Sequence, residues 1–353
     1  MAKNEKTTAC PSRLGRVGGG ALLEGVMMRA GDNVAVTCRK EDGSLTLVRE
    51  VHVPLRKRHK IWNLPLLRGV INFVESMALS MHTMNLSAEA YGGEEEETKL
   101  EKWMKKKLGI DLFDIVTVIA TILGVALAVA LFLYLPGKCV DLVEWCSGLT
   151  FDAWQEGLFE GGIKVLIFIL YIWLVSLLPD IKRTFMYHGA EHKSIACYEA
   201  GEELTPANAK KYTRFHPRCG TSFMFVMILL GVAIGILLRY LLPAEIVEQK
   251  WLYTLIRLAL LPLVVGVGFE FIMLAGKHPN PITRALSAPG LWMQRITTRE
   301  PDEGMLEVAI TSLKAALVDE FPDFKLPEEQ PTDSVAGEGA DEATDAESGG
   351  EEA

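Results

Sequence analysis

Four long apolar runs constrain this chain more than any other feature. They cover about Ile115 to Leu135, Ile163 to Leu178, Phe223 to Leu242 and Leu252 to Ala275. A bilayer core takes about 20 mainly apolar residues as helix, and a backbone in lipid must satisfy its own hydrogen bonds. Each run closes on helix-stopping or interfacial chemistry: Pro136-Gly137, Pro179-Asp180, Pro243 and Gly276-Lys277. A composition of 49% hydrophobic and 23% charged residues is compatible with this only because the two are segregated along the chain. The expectation is a mainly α, polytopic membrane protein with four transmembrane helices.

Lysine and arginine set the expected orientation. Arg56, Lys57, Arg58, Lys60 and Lys105 to Lys107 precede the first run, whereas the loop after it has only Lys138. The loop of residues 180–222 is again basic, the loop of residues 243–251 has Lys250 alone, and Lys277, Arg284, Arg295 and Arg299 follow the last run. This alternation predicts both termini and the middle loop in the cytoplasm, at a cell inner membrane. Residues 61–84 are apolar enough to suggest a fifth span. Arg68, Glu75 and His82 interrupt them and basic clusters flank both sides, so an amphipathic helix at the interface or on the bundle is expected.

The remaining segments divide around this membrane domain of residues 111–276. A flexible N-terminus spans 1–16. A small Gly-rich β unit spans 17–60, with Asp42-Gly43 joining strand-like Asn33 to Arg39 and Ser44 to Val53 as a hairpin. Residues 61–110 form the amphipathic helix and a charged linker. Residues 277–325 include a second amphipathic helix over Met305 to Glu320, and 326–353 an acidic tail. From Pro327 on, ten acids stand with no Lys or Arg. They account for the net charge of −9, so the acidity says nothing about the working surface. Such a tail cannot bury enough apolar area to order itself and is expected to be disordered. Gly18-Gly19-Gly20 has neither Walker nor dinucleotide spacing and reads as a turn. No nucleic-acid partner is predicted.

The middle loop carries the chemistry. His188 and His192 are four apart and share one helix face, as two ligands of one metal would. Glu191 completes His-x-x-Glu-His, the pattern of inverted zinc peptidases, in which the Glu is general base. Zinc is therefore the candidate cofactor. A third ligand could be Glu270, an acid in the fourth run on the same expected side. His216 and Cys219 are the alternative, closing a structural zinc site. The competing reading has these histidines hydrogen-bond the loop to the bundle or to lipid phosphates. Lys193, Lys210, Lys211, Arg214 and Arg218 favour anionic head groups at that face. Arg239 is expected to snorkel to the outer interface, Arg257 is left open, and Cys139 and Cys146 share the side where a disulfide could form.

Several stretches resemble the YqhQ-like family of bacterial membrane proteins. They are Gly19-Gly20-Ala21-x-x-Glu24-Gly25-Val26-Met27-Met28-Arg29, Tyr187-His188-Gly189-Ala190-Glu191-His192-Lys193, Arg214 to Phe223, and Pro289-Gly290-Leu291-Trp292 through Arg299-Glu300-Pro301. The family is a domain of unknown function, so the resemblance implies a bacterial inner-membrane setting and no reaction. Its signature stretches imply one composite site that would include Gly19, Gly20, Glu24, Arg29, Arg299 and Glu300 with the middle loop. Three functions compete: a metal-dependent hydrolase or transferase, a transporter or lipid-handling protein that would need to form a homo-oligomer, and a non-catalytic scaffold.

Overall fold

The computed structural model describes residues 12–58, 60–92, 112–277, 281–322 and 324. The acidic tail, most of the N-terminal segment and the charged linker after residue 92 lie outside the described residues.

The N-terminal unit is a four-stranded antiparallel meander, β1 (Val17–Leu22), β2 (Gly25–Ala30), β3 (Asn33–Arg39) and β4 (Leu45–Val51). The Asp-Gly hairpin is its last pair, with Lys40 N–H donating to Ser44 O at 2.9 Å. The glycine segment, expected as a turn, is strand β1, with Gly19 opposite Met28 of β2. Glycine has little strand propensity of its own, so its place here is set by what packs on it. Successive side chains on a strand face opposite ways, and both faces are covered. Val26, Met28, Ala35 and Leu47 join a core with the helices that follow, while Met27, Val34, Val36 and Val48 pack beneath Leu79. That is why Val34-Ala35-Val36 reads as a continuous apolar run.

Leu79 belongs to α1 (Leu67–Gly92), the expected amphipathic helix, which closes the second sheet face and also packs along the last apolar run. Next come α2 (Leu112–Val129), a π-helical turn at Ala130–Tyr134, and α3 (Leu135–Ser147). Then follow α4 (Ala153–Val175), α5 (Pro179–Glu199) and α6 (Gly220–Leu241). Gln155 Oε1 accepts from the Asp152 N–H at 2.8 Å, half of a capping box at the start of α4. Pro179 opens α5, where a missing N–H costs nothing. The fourth apolar run is broken: α7 (Lys250–Ala259) and α8 (Leu261–Lys277) meet at 46°. Pro262, with no N–H to give, sits just past the break. Among the described residues three helices are long and apolar enough to cross a membrane, and the bent pair makes four if it counts as one span. The protein is thus mainly helical with a small sheet.

Two further helices complete the chain, α9 (Pro281–Thr297) and α10 (Glu303–Ala316). Asp302 caps α10 by accepting from Met305 N–H at 2.8 Å. The second amphipathic helix was expected to show one apolar face. Instead α10 is buried nearly all round between α5 and the sheet, and Ser312 Oγ donates to Ala35 O at 2.8 Å.

The membrane-type helices pack through small residues, as lipid-embedded helices do. A Cβ on Gly161 of α4 would stand 2.6 Å from Val232 Cγ1 of α6, and Gly157 abuts Ile236 in the same way. One sequence expectation is corrected by this packing, and the open question of a Cys139–Cys146 disulfide is answered. Arg239 does not snorkel: its side chain is 7% exposed and bonds Glu156 at 2.6 Å and Glu160 at 3.1 Å. Cys139 and Cys146 lie seven residues apart within α3 and are both free thiols. Seven helical residues rise about 10 Å, beyond the reach of a disulfide.

Candidate metal centre

Helix α5 presents His188, Glu191 and His192 on one side because the spacing of three and four matches the helical turn. The loop after α5 returns to the same place and ends at Cys219, the N-cap of α6. His188, His192 and Cys219 each offer one ligand atom, and these atoms lie within 4.8 Å of one another. Cys219 Sγ is 3.2 Å from His188 Nε2. Ligand atoms on a tetrahedral zinc stand about 3.5 Å apart, so the donors are already near that spacing. His192 is buried, while His188 and Cys219 are half-buried and leave the group an opening.

The second ring nitrogens are also engaged. His188 Nδ1 lies 2.9 Å from Thr297 O, at the end of α9, and His192 Nδ1 lies 2.6 Å from Arg214 O. A carbonyl only accepts, so each Nδ1 must donate, which leaves Nε2 as the lone-pair atom. Metal-bound histidines are oriented by partners of this kind. Burial holds His192 below the usual imidazole value, with His188 adding to the effect and Cys219 and the Arg214 carbonyl opposing it. The neutral ring is the form a metal binds.

Glu191 lies beside this group but outside it. The residue is 5% exposed and its Oε2 finds no hydrogen-bond partner among the described residues. Burial pushes its carboxyl up, against the pull of His188 and His216. Gly19 of β1 covers it, since a Cβ there would stand 3.0 Å from Glu191 Cγ and 2.8 Å from Met27 O. A side chain at residue 19 would therefore displace either the acid or the sheet.

Glu270, a candidate third ligand, stands elsewhere. Both its oxygens take Arg68 of α1, one at 2.6 Å, so the acid in the fourth run is matched by a base from the amphipathic helix. His216 is near His192, with ring centres 5.5 Å apart, yet lies outside the three-ligand group. Its Nε2 faces Glu199 at 3.7 Å, and Gln294 clamps its backbone through two 2.8 Å bonds.

The remaining candidates frame the centre. Lys193 is buried and holds Glu300 at 2.9 Å and Lys210 O at 3.1 Å. Arg214 donates to Thr298 O and lies 3.6 Å from Glu300. Arg299 bonds through its backbone, N–H to Phe185 O at 2.8 Å. Glu24 takes Arg183 in a two-point pair and accepts from Tyr187 Oη at 3.1 Å, pinning the β1–β2 turn to α5 from a left-handed backbone position. The Arg183 hydrogen bond, against partial burial, holds the Glu24 carboxyl below the ordinary range. Arg218 pairs with Glu199. Arg29 bonds Gly31 O at 3.1 Å in the β2–β3 turn, and Gly20 lies along β1.

Sequence reasoning missed Glu199, and held Gln294 and Thr297 only as members of the signature stretch that ends at Pro301. Glu199 had a signal: it lies seven residues past His192 on the same helix face. Nothing beyond that stretch marked Thr297, because it acts through its backbone carbonyl.

The family described as "Protein of unknown function (DUF1385)" matches residues 64–319, which include every residue of the three-ligand group. The uncharacterized protein YqhQ of Bacillus subtilis (strain 168) is 34% identical over 303 residues, covering 85% of this chain and 92% of that protein. No solved structure matches. With nearly three quarters of its length in that match, the chain belongs to the DUF1385 family.

Proposed function

We propose that this protein is a membrane-embedded, metal-dependent hydrolase. In this reading four spans place both termini and the metal centre at the cytoplasmic face of a bacterial inner membrane. The alternation of basic and base-poor loops supports that orientation, and the bent α7–α8 pair serves as the fourth span.

One observation carries the chemical reading: two imidazoles and a thiol converge within 4.8 Å, with both Nδ1 atoms committed to backbone carbonyls. Nitrogen and sulfur donors in this number suit zinc, and three protein ligands leave a fourth position open, as catalytic rather than structural sites do. Bound there, zinc would polarise a substrate carbonyl or phosphoryl oxygen and acidify a water. Glu191, one turn from His188 on α5 and with its Oε2 unpartnered among the described residues, is the base that would take the proton from the attacking water. Thr297 and Arg214 carbonyls hold the ligands in register, and the Lys193–Glu300 pair holds the post-α9 segment against α5.

Metal analysis of protein purified without chelators tests this. About one zinc per chain is expected, lost in His188→Ala, His192→Ala and Cys219→Ala. Glu191→Gln is expected to keep the metal and lose hydrolysis of ester or phosphoester reporters. Protein that binds no transition metal would sink the proposal, and a Glu191→Gln variant as active as the parent would reduce the centre to a structural one.

A further inference from the structure

At the other end of the α4–α6 pair lies a charged cluster that the metal centre does not use. Glu160 is 4% exposed and sits in a helix long and apolar enough to cross a membrane. It accepts from Lys164 Nζ at 2.8 Å and from Arg257 Nη1 on one oxygen, and from Arg239 Nη2 at 3.1 Å on the other. Arg239 is also paired to Glu156 at 2.6 Å. With Arg239 assigned to Glu156, Glu160 alone answers both Lys164 and Arg257, which are 6% and 9% exposed. Among the described residues one positive charge is left over in an apolar bundle, where unmatched charge is costly.

The surplus has a place to act. A cavity of about 220 Å³ opens between α4, α6, α7, α8 and the π turn, and both Lys164 and Arg257 line it. Its other walls are apolar or bare, among them Phe132, Gly231, Gly235 and Leu261. A Cβ on Gly231 would meet nothing within 4 Å. Phe132 reaches the cavity from the π-helical turn Ala130–Tyr134, a distortion often found at functional sites. Among the described residues Lys164 and Arg257 each give one hydrogen bond to Glu160, while an ammonium carries three donors and a guanidinium five.

We propose that this cavity binds an anionic phospholipid, its phosphate on Lys164 and Arg257 and the start of an acyl chain along Phe132, Gly231 and Leu261. Two features select that occupant together: a surplus of cationic side chains at the cavity calls for an anion, and apolar walls call for a hydrocarbon attached to it. The volume lies below the roughly 300–1,000 Å³ of pockets that enclose whole drug-sized ligands, so the rest of the lipid stays in the bilayer. This site is independent of the metal centre and its hydrolase reading.

The test uses full-length protein, delipidated in detergent and titrated with phosphatidylglycerol or phosphatidylcholine, with bound lipid counted by native mass spectrometry. Wild type is expected to prefer phosphatidylglycerol by about tenfold, the value of one charge-assisted hydrogen bond. Lys164→Gln should bring the two lipids to parity. Gly231→Leu fills the cavity while keeping every charge, and should lower phosphatidylglycerol binding by a similar factor. Phosphatidylglycerol with a photoreactive group on its chain should cross-link to peptides containing Phe132 or Gly231, a readout that needs no variant. Equal binding of both lipids by wild type, cross-links only elsewhere, or unchanged binding in folded Gly231→Leu would overturn the proposal in favour of a purely structural ion network. Displacement by equimolar inorganic phosphate would overturn it in favour of a small-anion site.

Discussion

Replacing Gly189 with alanine tests whether the metal centre depends on how closely α5 approaches the segment after α9. In an ordinary helix this change stabilises by about 0.5–1 kcal/mol. Here a Cβ would run into Arg299 O and stand 3.2 Å from the Arg299 carbonyl carbon and 3.4 Å from Pro301 Cδ. The two backbones would have to separate by about 1 Å before ordinary contact is restored. That motion strains the Arg299 N–H to Phe185 O bond, now 2.8 Å, and the His188 Nδ1 to Thr297 O bond, now 2.9 Å. Overpacking costs about 1–3 kcal/mol and each lost bond about 1 kcal/mol. Against the helical gain, a net loss of about 2–4 kcal/mol is expected. Zinc affinity should fall about 10–100-fold, since an outer-shell partner of a ligand is displaced. Thermal unfolding in detergent, followed by tryptophan fluorescence, and chelator competition measure the two effects. Gly124→Ala is the control, as its Cβ would meet nothing within 4 Å. A Gly189→Ala protein as stable as Gly124→Ala, with parental zinc affinity, would refute the reasoning.

The other predictions concern separate parts of the chain. Glu270→Ala should leave zinc content unchanged while freeing Arg68 and loosening α1 from α8, seen as faster proteolysis within α1; loss of zinc instead would return Glu270 to the ligand set. Cys139 and Cys146 should both stay alkylatable after mild oxidation, and a linked peptide in mass spectrometry would contradict the helical geometry of α3. Because the Arg183 hydrogen bond depresses the folded carboxyl of Glu24, its contribution is complete above the unfolded value of about 4.5 and fades as pH falls through the lower folded value. Glu24→Gln should therefore flatten the acid limb of the stability profile below about pH 4.5, and an unchanged limb would show that the pair contributes nothing.

The apolar helices were legible because lipid imposes one demand on every residue of a span, and twenty apolar residues in a row report it without tertiary context. The break between α7 and α8 was not, although Pro262 was visible, since whether a proline kinks or only bends depends on neighbours. The composite site was half legible. The spacing of His188 and His192 is local, so the sequence carries it directly. The choice between Cys219 and Glu270 as third ligand is not local. It turns on Arg68, which sequence periodicity shows only as an interruption of an apolar stripe and which takes up Glu270 instead. Gly19 is the opposite case: its strand position has no propensity behind it and follows from the acid it covers.

Helix α6 relates the two sites physically. It starts from Cys219, a member of the three-ligand group, and carries Arg239 of the charged cluster in its last turn. Twenty residues at 1.5 Å each separate them by about 30 Å, the thickness of a bilayer's hydrocarbon core. Small residues lock α6 to α4, which runs the other way and brings Glu160 to the Arg239 end and α5 to the Cys219 end. A helix pair of that length, polar at both ends and apolar between, has one low-energy placement in a membrane. Were it to span, the histidine–cysteine group would lie at one surface and the Glu160–Arg239 cluster towards the other. The orientation could be reversed without changing this, because the separation depends on helix length and on where the polar residues fall, not on the sign of the flanking loops.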